Sequence, residues 1–271
     1  VSTTSLESFF SRSPEEILKD PQAPERGQDL LLALENGDVR AAQPDDNGGW
    51  QVNTWVKKGI LAIFRLSGQV DFPAWPGGAV DKDAFPPRTL SLTDGVRIVA
   101  GGSSVRRGSR LCPGAVLMPP CFVNVGAWVG AGTMVDSHAL VGSCAQVGEK
   151  VHLSAGVQVG GVLEPAGALP VIIEDGCFLG ALSGLFEGVI MKSRSVLAPG
   201  VVLTASTTIF DLVKGQELRG QIPEGAVVVP GSRPARGEWA VKRGLSLYAP
   251  CIVKYRDANT DAATILEAAL R

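Results

Sequence analysis

The stretch Val123–Pro165, VNVGAWVGAGTMVDSHALVGSCAQVGEKVHLSAGVQVGGVLEP, decides the fold. Every sixth residue in it is aliphatic: Val123, Val129, Val135, Val141, Val147, Leu153 and Val159. The frame runs back through Val105, Leu111 and Leu117. After a break at Leu163–Pro170 it restarts as Ile173, Leu179, Leu185, Met191, Leu197, Leu203 and Ile209. If about 30% of positions were aliphatic by chance, an unbroken run of ten would arise on the order of once in 10⁵ trials. Two residues before each anchor of the first run stands a compact side chain: Ser103, Ser109, Ala115, Cys121, Ala127, Thr133, Ala139, Ala145, Val151 and Val157. One residue after it comes mostly Gly, Asn, Asp or Ser.

A helix of period 3.6 would scatter such anchors around its surface, and a flat strand would not need turn-formers every sixth residue. A chain that runs extended and then turns a corner satisfies both patterns. The aliphatic side chain points into a prism, the compact residue fills its crowded interior, and Gly, Asn or Asp relaxes the corner. Three hexads close one triangular coil, and coils stack by hydrogen bonds between parallel strands. The seventeen anchors predict five to six coils of a parallel β-helix, whose hand the periodicity does not give. A β-solenoid without chemistry remains the alternative.

The chain has 271 residues, 45% of them apolar and 19% charged, with a net charge of −2. That balance argues against nucleic acid as a partner, because phosphate binding needs a surplus of Lys and Arg. No run approaches the length of a membrane span and no basic-then-apolar leader is visible, so a cytoplasmic location is expected. The five cysteines, Cys112, Cys121, Cys144, Cys177 and Cys251, are odd in number and lack CxxC spacing, and so read as small core fillers. With only His138 and His152, a three-histidine zinc site within one chain is excluded, and no metal is expected.

Residues 1–96 read as a helical unit with a connecting loop, 97–212 as the β-helix with an inserted loop at 163–170, and 213–271 as a small β/α tail. Helices are expected over 5–19, 27–36 and 51–65. Ser13-Pro14-Glu15-Glu16 is a capped start, and Gly37 and Gly68 are stops. Residues 67–96 are rich in Pro and Gly and read as loop. Gln216–Ser232 alternates around turns, Ser246–Tyr255 is a strand candidate, and Asp261–Arg271 is a terminal amphipathic helix.

Asp136, His138, His152, Ser154, Gln158 and Glu187 are the polar residues of the repeat that could carry chemistry. A corner Asp such as Asp136 either caps its own turn or serves a substrate. The spacing of His138 and His152 is not a whole coil, so they do not stack in neighbouring coils. Arg97, Arg106, Arg107 and Arg110 form a basic mouth to the first coil, either as solvated charge or as a clamp for an anionic substrate.

Val123–Pro165, together with PVIIEDGCFLGALSGLFEG (Pro170–Gly188), closely resembles the tetrahydrodipicolinate N-succinyltransferases of the bacterial lysine and diaminopimelate pathway. WVKKGILAIFRLSG (Trp55–Gly68) and SLYAPCIVKYRD (Ser246–Asp257) resemble that family too. The resemblance implies a left-handed parallel β-helix, a homotrimer and active sites between neighbouring prisms. No tightly bound cofactor is implied. Succinyl-CoA serves as cosubstrate, and its acyl group passes to the amino group of a ring-opened amino dicarboxylate. By position, Asp136 becomes the base or amine-orienting carboxylate and Arg97 the partner of a substrate carboxylate. Ser154, His138 and Glu187 join them at the substrate, while Gly180, Ala198, Lys242 and Lys254 are expected to meet the coenzyme. Many relatives read GARSEVVEG where this chain reads GALSGLFEG, which puts Leu182 in place of an Arg and Gly184 in place of a Glu. "DTWA" becomes "DSHA", which brings in His138. An acetyl-CoA-dependent relative, as in tabtoxin-type pathways, is the alternative acyltransferase. A γ-type carbonic anhydrase lacks its histidines here, and a nucleotide-sugar pyrophosphorylase lacks its Gly-rich domain.

Overall fold

Each hexad folds as a pair of extended residues followed by a corner, with the second residue of the pair turned inward. In the computed structural model, which describes residues 2–75 and 77–257, these pairs stack into the three faces of a prism. Face one carries Arg110–Leu111, Trp128–Val129, Gln146–Val147, Ile172–Ile173, Ile190–Met191 and Gln221–Ile222. Face two carries Arg97–Ile98, Val116–Leu117, Met134–Val135, His152–Leu153, Phe178–Leu179, Val196–Leu197 and Ala226–Val229. Face three carries Ser104–Val105, Phe122–Val123, Leu140–Val141, Gln158–Val159, Gly184–Leu185 and Val202–Leu203.

The register is parallel and regular. Trp128 sits between Arg110 and Gln146, and Met134 between Val116 and His152, each a step of three hexads. Gln146 pairs with Ile172 where an unbroken repeat would bring Glu164, so the inserted loop is spliced in without disturbing the stack. Val129, Val135, Val141, Val147, Leu153 and Val159 are wholly buried, as are Ala115, Ala145, Val151 and Val157 of the compact column. Burying each Val or Leu is worth about 1.5–3 kcal/mol, and the anchors form one continuous core. Thr133 is also buried there; its hydroxyl donates to Gly148 O at 2.7 Å and accepts from Val151 N at 3.0 Å. Four of the five cysteines are buried and all are free thiols, with Cys121 and Cys177 in the compact column.

The coils do not stop at residue 212. Gln221–Ile222 and Ala226–Val229 lay a further course on faces one and two, with Gln221 beside Ile190 where an unbroken repeat would bring Thr208. Ile209 keeps its core place, but its strand, Ile209–Asp211, leaves the prism frame to pair with Gln216–Leu218 and Cys251–Tyr255. The expected strand over 246–255 is two strands, Ser246–Tyr248 and Cys251–Tyr255, because Pro250 interrupts the run. The expected terminal helix lies outside the described residues.

The N-terminal helices are Thr3–Phe10, Pro14–Lys19, Ala23–Asn36 and Thr54–Leu66. Ser13 and Glu16 close a capping box that starts the second helix, so 5–19 is two helices instead of one. The third helix starts earlier than its apolar pattern suggested, with Pro24 in its first turn, and ends at Gly37, whose φ of 84° suits glycine. Residues 67–96 contain a small hairpin, Gln69–Asp71 with Val80–Lys82. This helical unit covers the first coils of face one. Arg110 donates to Glu35 O at 2.8 Å, Arg107 to Gln28 Oε1 at 2.6 Å, and Arg106 pairs with Asp81 while lying over Phe64 and Phe85. Lys57, fully buried in the last of these helices, donates to Pro165 O at 3.2 Å and Ala168 O at 2.7 Å, which ties the inserted loop to the helical unit.

Two substitutions probe the stack. Leu153→Ala is expected to cost about 2–5 kcal/mol through the cavity it leaves. A methyl group at Gly130 would collide with the backbone carbonyl of Gly148. Gly130→Ala is therefore expected to cost at least about 1–3 kcal/mol, since backbone and not a flexible side chain must move. Denaturant melts read both, and a wild-type midpoint for either would contradict the stacking.

Candidate active site

Residues one coil apart stand above one another, so each prism edge is a column of corresponding corner residues. The edge between faces two and three is built from Asp136-Ser137-His138, Ser154-Ala155-Gly156, Gly180-Ala181-Leu182 and Ala198-Pro199-Gly200. Backbone bonds lock the corners together: Gly156 N donates to Ser137 O at 2.8 Å, Leu182 N to Ala155 O at 3.0 Å, and Gly200 N to Ala181 O at 3.0 Å. Five of the expected site residues, Asp136, His138, Ser154, Gly180 and Ala198, thus share one edge.

Asp136 is half-buried, and its Oδ1 accepts from Ser137 N at 2.7 Å. It does cap its own turn, and among the described residues Oδ2 has no donor. His138 and Leu182 occupy the left-handed corner position with φ of 61° and 59°, where other corners of the column carry Gly156 and Gly200. A non-glycine residue there costs of order 1 kcal/mol. Both side chains are nonetheless exposed, Leu182 to 73%. His138 O accepts from Gln158 Nε2 at 3.1 Å, which fixes the corner against face three. Corner backbone N–H groups are expected from the sequence as oxyanion donors, and the structure gives two of them on this edge. The N–H groups of Ala155 and Ala181 have no acceptor among the described residues, because a corner's middle residue points its N–H out of the ladder. The corner geometry, once known, gives them.

Arg97 begins face two, one stacked strand before Val116 and two before Met134, and is exposed. Its guanidinium has no partner among the described residues. By contrast, Arg106, Arg107 and Arg110 are spent on docking the helical unit, so of the basic mouth only Arg97 is left for a ligand. Glu187 lies elsewhere, on the edge between faces three and one. There it lines a cavity with Glu164, Leu169, Phe186 and Thr204 beside the inserted loop. Lys254 stands opposite Val227 at the C-terminal end of face two and pairs with Asp257 at 3.5 Å. Lys242 ends the short helix Glu238–Val241 and pairs with Glu238 at 2.6 Å, fully outside the edge column. The hairpin around that helix hooks onto face three, where Tyr248 Oη accepts from Val202 N at 2.9 Å. Gly184 has a structural reason: a methyl group there would meet the Phe186 ring at 2.7 Å, so an aromatic ring lies over the strand.

A second polar cluster occupies the edge between faces one and two. Glu174 Oε1 accepts from Lys192 Nζ at 2.8 Å and Trp50 Nε1 at 3.0 Å, and Oε2 accepts from the N and Oγ of Ser193, each at 3.1 Å. Burial pushes this carboxyl up, but Lys192, Trp50 and Ser193 together outweigh it and hold it below the ordinary 4.5. Sequence reading gave no hint of this link.

A triangular β-helix with a helical cap on one face and one edge of small, polar corners is the architecture of the hexapeptide-repeat acyltransferases, a left-handed parallel β-helix. The description "Tetrahydrodipicolinate N-succinyltransferase N-terminal" matches residues 13–66, and "Hexapeptide repeat of succinyl-transferase" matches residues 170–205. A 2,3,4,5-tetrahydropyridine-2,6-dicarboxylate N-succinyltransferase of Afipia carboxidovorans is 44% identical over 247 residues, 89% of this chain and 87% of the relative. Its counterpart in Methylobacterium nodulans is 49% identical over the same shares. A solved Campylobacter jejuni structure, described as a 2,3,4,5-tetrahydropyridine-2-carboxylate N-succinyltransferase, has a TM-score of 0.56 at 19% identity. The match covers 83% of this chain and 62% of that one, and carries the fold alone. The chain belongs to the tetrahydrodipicolinate N-succinyltransferase family.

The Glu174 cluster makes a pH prediction. A carboxyl held below 4.5 in the fold contributes its stability fully above that value and loses it as pH falls through the folded value. The melting-temperature difference between wild type and Glu174→Gln should be largest near neutrality and shrink as pH falls below 4.5 through the lowered folded value. A difference independent of pH would contradict the assignment.

Proposed function

We propose that the protein transfers the succinyl group of succinyl-CoA to the amino group of ring-opened tetrahydrodipicolinate, as a step of diaminopimelate and lysine synthesis. The observation that carries this reading is the Asp136–Ser154–Gly180–Ala198 edge in a chain 44% and 49% identical to two enzymes named for that reaction. Asp136 Oδ2 orients the attacking amine and takes its proton. The nitrogen forms a bond to the thioester carbonyl, and the Ala155 or Ala181 N–H supports the oxyanion of the tetrahedral intermediate. Collapse breaks the carbon–sulfur bond and leaves an amide, with the thiolate taking the proton. Arg97 holds a substrate carboxylate by a charge-assisted pair. Ser154 and His138 flank the acceptor, and Gly180 and Ala198 leave room for the pantetheine arm, with Lys254 and Lys242 toward the nucleotide end. Glu187 reaches substrate only from a neighbouring prism, because its own edge is not that of Asp136.

The same reading places three chains around a common axis with sites between prisms. Its support is the distribution of outward side chains. The first coils of face one lie under the helical unit, whereas faces two and three turn Val116, Met134, Phe178, Val196, Phe122, Leu140 and Val202 outward. No helix among the described residues is long and apolar enough to cross a membrane. A cytoplasmic location, beside the acyl-CoA pool, fits the reaction.

Thiol release by the purified protein tests the proposal, with 2-aminopimelate or tetrahydrodipicolinate as acceptor and succinyl-CoA or acetyl-CoA as donor. The expected result is a preference for succinyl-CoA, with kcat reduced about 10²–10⁴-fold in Asp136→Asn. A preference for acetyl-CoA, or an Asp136→Asn variant with wild-type kcat, would contradict it.

A further inference from the structure

A cavity of about 460 Å³ separates the helical unit from the edge between faces one and two, away from the edge that carries Asp136. Its roof is the loop Pro44–Trp50, held in shape by Asp45, whose Oδ1 accepts from Asn47 N and Gly49 N at 2.8 Å each. The roof is fastened to the prism by Trp50 on Glu174 and by Lys192, which donates to Gly48 O at 2.9 Å. Arg40 lines one end, its guanidinium 4.0 Å from the Trp128 ring centroid and 5.5 Å from that of Trp50. Arg40 Nε is taken by Gln146 Oε1 at 2.9 Å, and among the described residues neither Nη atom has an acceptor. Burial lowers this guanidinium to about 10, and the charges of Cys112 and Asp175 pull against that shift.

The rim of the cavity is acidic. Glu174 is saturated by its four donors, but Asp175 and Glu149 are exposed at the rim, where the Asp175 carboxylate accepts from Glu149 N at 2.7 Å and, among the described residues, from no other donor. Lys192 is spent on Glu174 and the roof, which leaves the two Nη atoms of Arg40 as cationic donors on this cavity without an acceptor among the described residues. A planar guanidinium with both Nη groups free fits a carboxylate. A phosphate, carrying more negative charge, would be repelled by the two rim carboxylates, whereas an ammonium would be drawn to them.

The geometry points to a second small-molecule site in this cavity, one that takes a diamino monocarboxylic acid with its carboxylate on Arg40, its chain against Trp50 and Trp128, and its side-chain ammonium toward Asp175 and Glu149. The site is independent of the acyl-transfer reading, since no residue of it lies on the Asp136 edge.

Calorimetric titration of the full chain with L-lysine as probe tests it, beside L-lysinamide, which lacks the carboxylate, and L-norleucine, which lacks the second ammonium. Saturable L-lysine binding is expected, with each analogue at least about tenfold weaker. Arg40→Gln should abolish binding. Because Arg40 also bridges the helical unit to the prism, Asp175→Asn serves as a second variant. It should keep the wild-type melting temperature and bind about fivefold or more weakly. Absence of saturable binding, equal affinity for L-lysinamide, or undiminished binding by Asp175→Asn would each overturn the proposal.

Discussion

Everything in this molecule depends on the closing of one coil by three hexads. Each aliphatic anchor is buried against its counterparts one coil before and one coil after, and each strand pair hydrogen-bonds to the pairs at that same interval. Shifting the register by one residue would turn every anchor outward. Insertions are tolerated only where they leave the next strand on its face, as those between Gln146 and Ile172 and between Ile190 and Gln221 do. The stack therefore works as a ruler along which corner residues are lined up by their spacing in the chain. Backbone stacking, and no long side-chain network, brings Asp136, Ser154, Gly180 and Ala198 together.

The helical unit depends on the same ruler in a different way. Its attachments, Arg110 to Glu35, Arg40 to Gln146 and Trp50 to Glu174, reach side chains or corners of successive coils on a single face. Covering the first coils of face one leaves two faces with apolar outward columns, a surface that invites association. Lys57 extends the attachment to the inserted loop, so the N-terminal unit and the loop beside Glu187 are held as one piece.

The repeat was legible because an aliphatic residue every sixth position has no other simple structural reading. The same arithmetic explains how much of the edge was legible: Asp136 and Ser154 are one coil apart, and Gly180 follows once the inserted loop is counted. Contacts between distant segments were not legible. The roles of Arg106, Arg107 and Arg110 as docking residues depend on where Glu35, Gln28 and Asp81 come to rest, and sequence spacing says nothing of that. Glu187 was grouped with Asp136 by resemblance, although its corner lies on another edge. The break at Pro250 and the extra course at 221–229 follow from local turn chemistry and from pairing outside the hexad frame.

The central claim is that acyl transfer takes place along the edge that Asp136 begins. A crystal structure of the protein with coenzyme A and an amino dicarboxylate tests it most directly. The account predicts the thiol beside Asp136 and Ser154, the pantetheine arm running past Gly180 and Ala198, and a substrate carboxylate on Arg97. Coenzyme A bound in the Arg40 cavity, or against the helical unit with the Asp136 edge bare, would contradict it.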